Sequence, residues 1–281
     1  REGLNYLWTP EQVREVLAAD DAEFAIKRFG LDAGTNFRDP HHPDEPASNV
    51  LRLDRMPSDD AARLDAICDQ LLKARNTRKQ PGTDDKVLAA WNGIMIRGLA
   101  ETARATGDAR YLDAAERAAR FIRDEMTDAD SGLLRSWREG EAHTPAFLDD
   151  YANLAAGLAA CARAQVAFDR DASATVSFTN ELAERVSRDF IDADSNALFD
   201  TRAGATELFA RGRSTCDGAM PSAVATMLNA WLDLAEISGD ASHADRAVRG
   251  LVAHSAAIAD SPIATVHSTR ALFRALRAGL P

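Results

Sequence analysis

The chain has 281 residues, 46% of them hydrophobic and 27% charged, with a formal net charge of −11. That balance belongs to a globular protein with a large core and excludes collagen-like and disordered classes. The acidic field repels phosphate backbones and anionic lipid, so neither nucleic acid nor a membrane is an expected partner. No stretch reaches the roughly 20 apolar residues that span a bilayer, and Arg1-Glu2-Gly3 is not a signal-peptide start, so the cytoplasm is the expected compartment.

Thr9-Pro10-Glu11-Gln12 is a capping-box start with Pro at the first helical position, and it predicts a helix to about Ala19. Residues 31–49, rich in Asp, His, Pro and Gly, read as an exposed loop. Asn49 to Leu53 reads as a short strand, and a helix is expected from Ser58 to about Asn76. Residues 1–57 thus form an irregular N-terminal segment. Cys68, Cys161 and Cys216 are widely spaced and odd in number, which fits small buried apolar residues rather than a disulfide or zinc framework.

Three later segments share one layout. Each opens on an acidic start, at Asp84-Asp85, Asp149-Asp150 and Asp217; the three lead residues Asp84, Asp149 and Asp217 are 65 and 68 residues apart. Each continues as a helix rich in small apolar residues, through Trp91, Ile94 and Leu99, through Leu154, Leu158 and Cys161, and through Val224, Leu228 and Trp231. Gly107-Asp108 and Gly239-Asp240 close the first and third, and Phe168-Asp169 closes the second. A more amphipathic helix follows each one, with apolar stripes at Leu112, Ala115 and Ile122, at Phe178, Leu182 and Val186, and at Ala244, Ala247 and Leu251. The first kind of helix is apolar nearly all round and belongs inside; the second has a wet face and belongs outside. Residues 132–137 and 196–200 read as short strands between units.

Repeated helical hairpins of this length describe an all-α (α/α) toroid. Six hairpins would need roughly 360–400 residues by multiplication of the repeat. The chain holds about three full hairpins plus an outer helix or two, so residues 1–281 read as one domain forming an incomplete toroid, with short strands in connecting loops.

Five ordered motifs carry a resemblance: Tyr6-Leu7-Trp8-Thr9-Pro10-Glu11, Pro81-Gly82-Thr83-Asp84-Asp85-Lys86, Trp91-Asn92-Gly93, Phe147-Leu148-Asp149-Asp150-Tyr151-Ala152, and Asp217-Gly218-Ala219 with Pro221-Ser222. Together they resemble the back half of the spermatogenesis-associated protein 20-like family, whose bacterial members are called thioredoxin-domain-containing proteins. The resemblance implies a toroid of the six-hairpin glycosidase type and a carbohydrate-related role, glycosidase-like or sugar epimerase-like if catalytic. The thioredoxin-like domain of such members has no counterpart in this chain. A small sugar, a thioredoxin-like domain or a missing toroid half are accordingly the expected partners. A non-catalytic scaffold and a truncated remnant without activity are the alternatives.

The carboxylates Asp84, Asp85, Asp149 and Asp150 are the candidate acid–base groups, since a pair flanking a sugar can serve as acid and base or as nucleophile. The competing role is helix capping, for which Asp is well suited. Trp91 either stacks on a sugar ring or fills the core, and Asn92 beside it either bonds hydroxyls or a local partner. Lys86 pairs with Asp85 or meets a substrate carboxylate or phosphate. Tyr151 donates to a ligand or fills the core, and Asp217 completes the rim. The histidines lack ligand spacing, and no phosphate loop, metal motif or other cofactor signature is present.

Overall fold

The computed structural model describes residues 3–53, 60–204 and 209–280. They fall into two compact units, Arg1–Asp84 and Asp85–Pro281, where the sequence reading counts one domain.

In the first unit, α1 (Pro10–Val16) opens with the expected box: the Thr9 hydroxyl accepts from the Gln12 N–H, and the Gln12 side chain accepts from the Thr9 N–H. The helix stops at Val16, earlier than expected, because Leu17 and Ala18 are extended. A second helix then starts at once, α2 (Ala19–Arg28), with Asp20 and Asp21 in its first turn. α3 (Ala61–Asn76) packs Leu64, Ile67 and Leu71 into a core with Trp8, Val13, Ile26 and Phe29. The expected start of α3, Ser58, lies outside the described residues. The stretch 31–49 is more ordered than a plain loop, with a 3-10 turn at Leu31–Ala33 and bridges pairing Phe37 with Ser48 and Trp8 with Asn49. The expected 49–53 strand reduces to that last bridge. The Arg78 guanidinium lies 3.9 Å over the buried Trp8 ring and donates to the carbonyls of Asn5 and Leu7.

The second unit is an incomplete (α/α) toroid of three hairpins. These are α4 (Ala89–Thr106) with α5 (Ala109–Glu125), α6 (Leu148–Ala167) with α7 (Ser173–Asp189), and α8 (Ala223–Ser238) with α9 (Ala241–Asp260). A further helix, α10 (Val266–Arg277), follows the outer α9, packs on α8 and joins the inner row. Burial separates the two kinds of helix at α6 and α8, where 16 of 20 and 12 of 16 residues are buried, whereas α4, expected inside all round, buries one stripe as α5, α7 and α9 do. Asp108 and Asp240 cap α5 and α9, accepting from Arg110 N–H at 3.0 Å and Ser242 N–H at 2.9 Å.

Four short antiparallel strands trim one end of the inner row: β1 (Val87–Leu88), β2 (Thr127–Asp128), β3 (Gly132–Arg138) and β4 (Glu141–Pro145). β3 is central, with Val87 opposite Trp137, Thr127 opposite Leu133 and Ser136 opposite His143. The other expected strand, 196–200, is a single bridge from Leu198 to Ile191.

The inner helices α4 and α6 run parallel and touch backbone to backbone. The Ala90 N–H meets Asp150, and a Cβ on Gly157 would lie 2.3 Å from the Gly93 carbonyl oxygen. The alanines and glycines of both helices permit that approach. Only Cys161 of the three cysteines is buried; Cys68 and Cys216 are exposed, against the expectation for all three.

Candidate functional site

The acidic starts do not occupy equivalent places. Asp149 and Asp150 lie in the first turn of α6, but Asp85 precedes β1 and Asp217 lies six residues before α8. The regular sequence spacing of these residues therefore hides a shift: a strand is inserted before α4, and a turn through Gly218 and Pro221 before α8.

Asp150 is the pivot of the rim. Its Oδ1 accepts from the Ala90 N–H at 3.2 Å, and its Oδ2 accepts from the Phe147 N–H at 3.0 Å and from Arg135 at 2.7 Å. One carboxylate thus joins the start of α4, the start of α6 and the β3 strand. It is 1% exposed. Burial first, and the neighbouring Asp149 carboxylate second, push its pKa up to about 6, while the Phe147 N–H, Arg135 and the Ala90 N–H pull the other way. Asp149 meets the same Arg135 nitrogen at 3.1 Å, and about one-third of its side chain remains exposed. Burial opposes the Arg135 charge, but the two carboxylates outweigh it and raise its pKa. The guanidinium also lies 5.0 Å over the Phe147 ring.

Trp91, the third residue of α4, is 64% exposed, so it is not a core residue. It follows Ala90, which Asp150 holds, and therefore stands at the level of the acidic turn along the parallel pair. Asn92 is half-buried and donates to the Leu88 carbonyl at 2.9 Å, which commits its amide to the helix start. Tyr151 is fully enclosed against Phe190, and its hydroxyl accepts from the Leu133 N–H at 3.1 Å. Tyr151→Phe should therefore lower stability by about 1–2 kcal/mol, leaving a buried N–H without an acceptor. Urea unfolding measures that loss, and a ligand-binding assay on the same variant should be unchanged. Asp85 is an exposed partner of Arg138 at 2.8 Å, and Asp84 and Lys86 are exposed as well. Asp217 accepts from the Ser222 N–H at 2.9 Å and the His267 N–H at 2.8 Å, tying the turn before α8 to the start of α10. The rim thus gathers Asp149, Asp150 and Arg135, places Trp91 at the adjoining start of α4 on its exposed face, and leaves Asp85 and Asp217 to local duties.

Sequence reasoning missed a second polar feature three to four turns deeper along the inner helices. An ion-pair belt crosses all four inner helices: Glu101 of α4 to Arg163 of α6 at 3.7 Å, Arg163 to Asp233 of α8 at 3.1 Å, and Asp233 to Arg274 of α10 at 2.8 Å. Its signal was present, because Asp233 interrupts the apolar run Trp231-Leu232-Asp233-Leu234, and a charge there requires a partner. A cavity of about 940 Å³ opens below the belt, lined by Arg163, Val166, Val176 and Glu236. None of Asp85, Asp149, Asp150 and Trp91 lines it.

No family model matches the chain. Spermatogenesis-associated protein 20 of Homo sapiens is 29% identical across 97% of this chain, and that of Mus musculus is 27% identical across the same share. The chain spans 38% of the length of these curated relatives. An uncharacterized protein of Caenorhabditis elegans is 35% identical over 32% of the chain and 13% of its own length. Among solved structures, a family 105 glycoside hydrolase from C. acetobutylicum superposes with a TM-score of 0.51 at 11% identity, covering 68% of this chain and 56% of its own. It shares the toroid fold. A cellobiose 2-epimerase from Bacillus thermoamylovorans scores 0.49 at 13% identity, covering 61% and 45%.

Proposed function

We propose that this chain, which belongs to the spermatogenesis-associated protein 20-like family, binds a small carbohydrate on the rim of its inner helices. The observation that carries the reading is Trp91, an indole left 64% exposed at the start of an inner helix. Its face suits the apolar side of a sugar ring. Asp149 and Arg135, each about one-third exposed, offer an acceptor and a donor to hydroxyls. A toroid shared with a glycoside hydrolase makes sugars the ligand class to try first. The rim suits binding better than acid–base turnover. Asp149 and Asp150 share one guanidinium nitrogen, and Asp150 is sealed, so they do not face each other across a ring.

Thermal-shift and calorimetric titration with neutral monosaccharides, uronic acids and amino sugars tests the reading, since a ligand of the folded state raises the melting temperature. One class should bind saturably, at least tenfold more weakly to Trp91→Ala and measurably more weakly to Asp149→Asn. Indifference to every class rejects it.

The α4 face favours a second reading. Trp91, Ile94 and Met95 form an exposed apolar strip, 64%, 41% and 59% exposed. In relatives more than twice as long, such a strip suits docking of a further helical hairpin or a thioredoxin-like domain. Under that reading Trp91→Ala weakens capture of the separately produced remainder of a longer relative and leaves sugar titrations flat.

A further inference from the structure

The belt described above leaves two cations over. Every acid in it is engaged: Glu101 by Arg163 and Arg104, Asp233 by Arg163 and Arg274, and Glu236 by Arg274 at 2.8 Å. Arg97 stands one helical turn above Glu101 on α4, and Arg270 one turn above Arg274 on α10, on the faces that make the belt. Among the described residues neither arginine has an ion pair or a hydrogen bond. Arg270 is exposed and Arg97 half-buried, so solvent reaches both. His267, three residues before Arg270, points the same way, and its Nε2 is enclosed without a partner. The Asn229 amide donates to the His267 carbonyl at 3.0 Å and Asp217 accepts from its N–H, which fixes this turn of α10 in place.

We propose that Arg97, Arg270 and His267 form a binding site for a small oxyanion, the phosphate or carboxylate group of a compact ligand, above the ion-pair belt.

Two like charges brought together without a counter-ion repel each other, in a chain whose acids outnumber its basic residues by 44 to 33. Burial lowers the Arg270 pKa first, with Arg97 the next cause and Arg274 and Arg163 also depressing it, while Asp233 opposes. Burial, then Arg270 and Arg97, lower His267, against the carboxylates of Asp217 and Asp233. An oxyanion between the guanidinium groups reverses that balance. It gives each arginine the planar partner it lacks and gives His267 an acceptor once the ring is protonated. Affinity should therefore rise as the pH falls through the range in which His267 protonates, which burial and the two arginines set below that of an ordinary imidazole. The belt beneath holds Arg163 and Arg274 in place as a second, already neutralised tier, so the floor of the site is polar but not anionic on balance. The site stands apart from the Asp149–Arg135 rim, and it does not require the ligand to be a sugar.

Isothermal titration of the 281-residue chain with inorganic phosphate, at ionic strength held constant with sodium chloride, tests the proposal. Glucose 6-phosphate and glucuronate titrations distinguish the phosphate source from the carboxylate source, and glucose serves as the uncharged control. Saturable binding of at least one of the three anions is expected, weakened tenfold or more in both Arg97→Ala and Arg270→Ala. Arg270→Lys, which keeps the charge, should lose less. Because neither arginine holds another element, both alanine variants should melt within a few degrees of the parent. Overlaid backbone amide spectra confirm that each is folded. Absence of saturable binding by all three anions overturns the proposal, as does binding that both alanine variants retain. Glucose binding lost in Trp91→Ala but kept in Arg97→Ala would leave the sugar reading standing while the anion site is judged on its own arms.

Discussion

Gly157→Ala should be among the most destabilising single substitutions in the second unit, costing about 3 kcal/mol or more. The added Cβ would lie 2.3 Å from the Gly93 carbonyl oxygen and 3.2 Å from its Cα, so the obstacle is backbone and cannot rotate away. Relief requires α4 and α6 to separate, and their separation opens the tightest joint in the inner row. Gly98→Ala on the same α4 is the control. Nothing lies within 4 Å of a Cβ at that position, so helix propensity alone decides, and the variant should gain up to about 1 kcal/mol. Urea unfolding of the two variants checks the pair of opposite signs. A domain of this size should lose roughly 6–12 °C in melting temperature for about 3 kcal/mol. Equal effects at Gly157 and Gly98 would refute the close crossing.

Asp150 should show the other large effect, and its size depends on pH. Asp150→Ala leaves the Ala90 and Phe147 N–H groups without their acceptor and takes from Arg135 the nearer of its two carboxylates, a loss of about 3–5 kcal/mol at neutral pH. The parent carboxyl has its own pH signature. Its folded pKa, about 6, lies above the ordinary 3.8. Between those values the folded state holds a proton that the unfolded chain releases, so this group favours folding most below about pH 4. That advantage fades as the pH rises and is gone above about pH 6, an amplitude of about 3 kcal/mol. The stability difference between the parent and Asp150→Asn, measured by urea unfolding from pH 4 to 7, should shrink by that amount. A difference flat across the window would show that the three donors outweigh burial. Carbon-detected titration of the Asp150 carboxyl in Asp149→Asn should give a lower pKa, because the neighbouring charge that raises it is gone.

The hairpin order and the division into inner and outer helices were legible because they depend on side-chain composition over many residues. Small apolar residues on all sides mark α6 and α8, and a single stripe marks α5, α7 and α9. The local starts were legible where one residue type has one favoured task, as at Thr9, Asp108 and Asp240. The acidic starts were not separable in sequence, since an aspartate that caps, one that clamps three elements and one that stays open look alike. Asp150, Asp149 and Asp217 differ only in what the fold brings to them. The resemblance motifs show the same limit. Trp8 with Arg78, Gly93 with Gly157, and Ser222 capping α8 are devices of folding, whereas Trp91 at the head of such a motif is left in solvent. Of the ion-pair belt only Asp233, a charge inside an apolar run, could be read as needing a partner. Its members lie on four helices, and no spacing along one helix names the partner on the next.

The burial of α6 has a dynamic consequence. A helix with one wet face can loosen by a turn while its neighbours hold, because water satisfies what is exposed. With 16 of 20 residues enclosed, α6 has no such route. Exposing its amides requires the hairpins on both sides to part, so slow fluctuations of the second unit are confined to its margins. The Glu139-Gly140 turn between β3 and β4, with both residues at positive φ, is one such margin. Motion at the rim then occurs around a fixed axle, the buried α6 that carries Asp149 and Asp150 in its first turn.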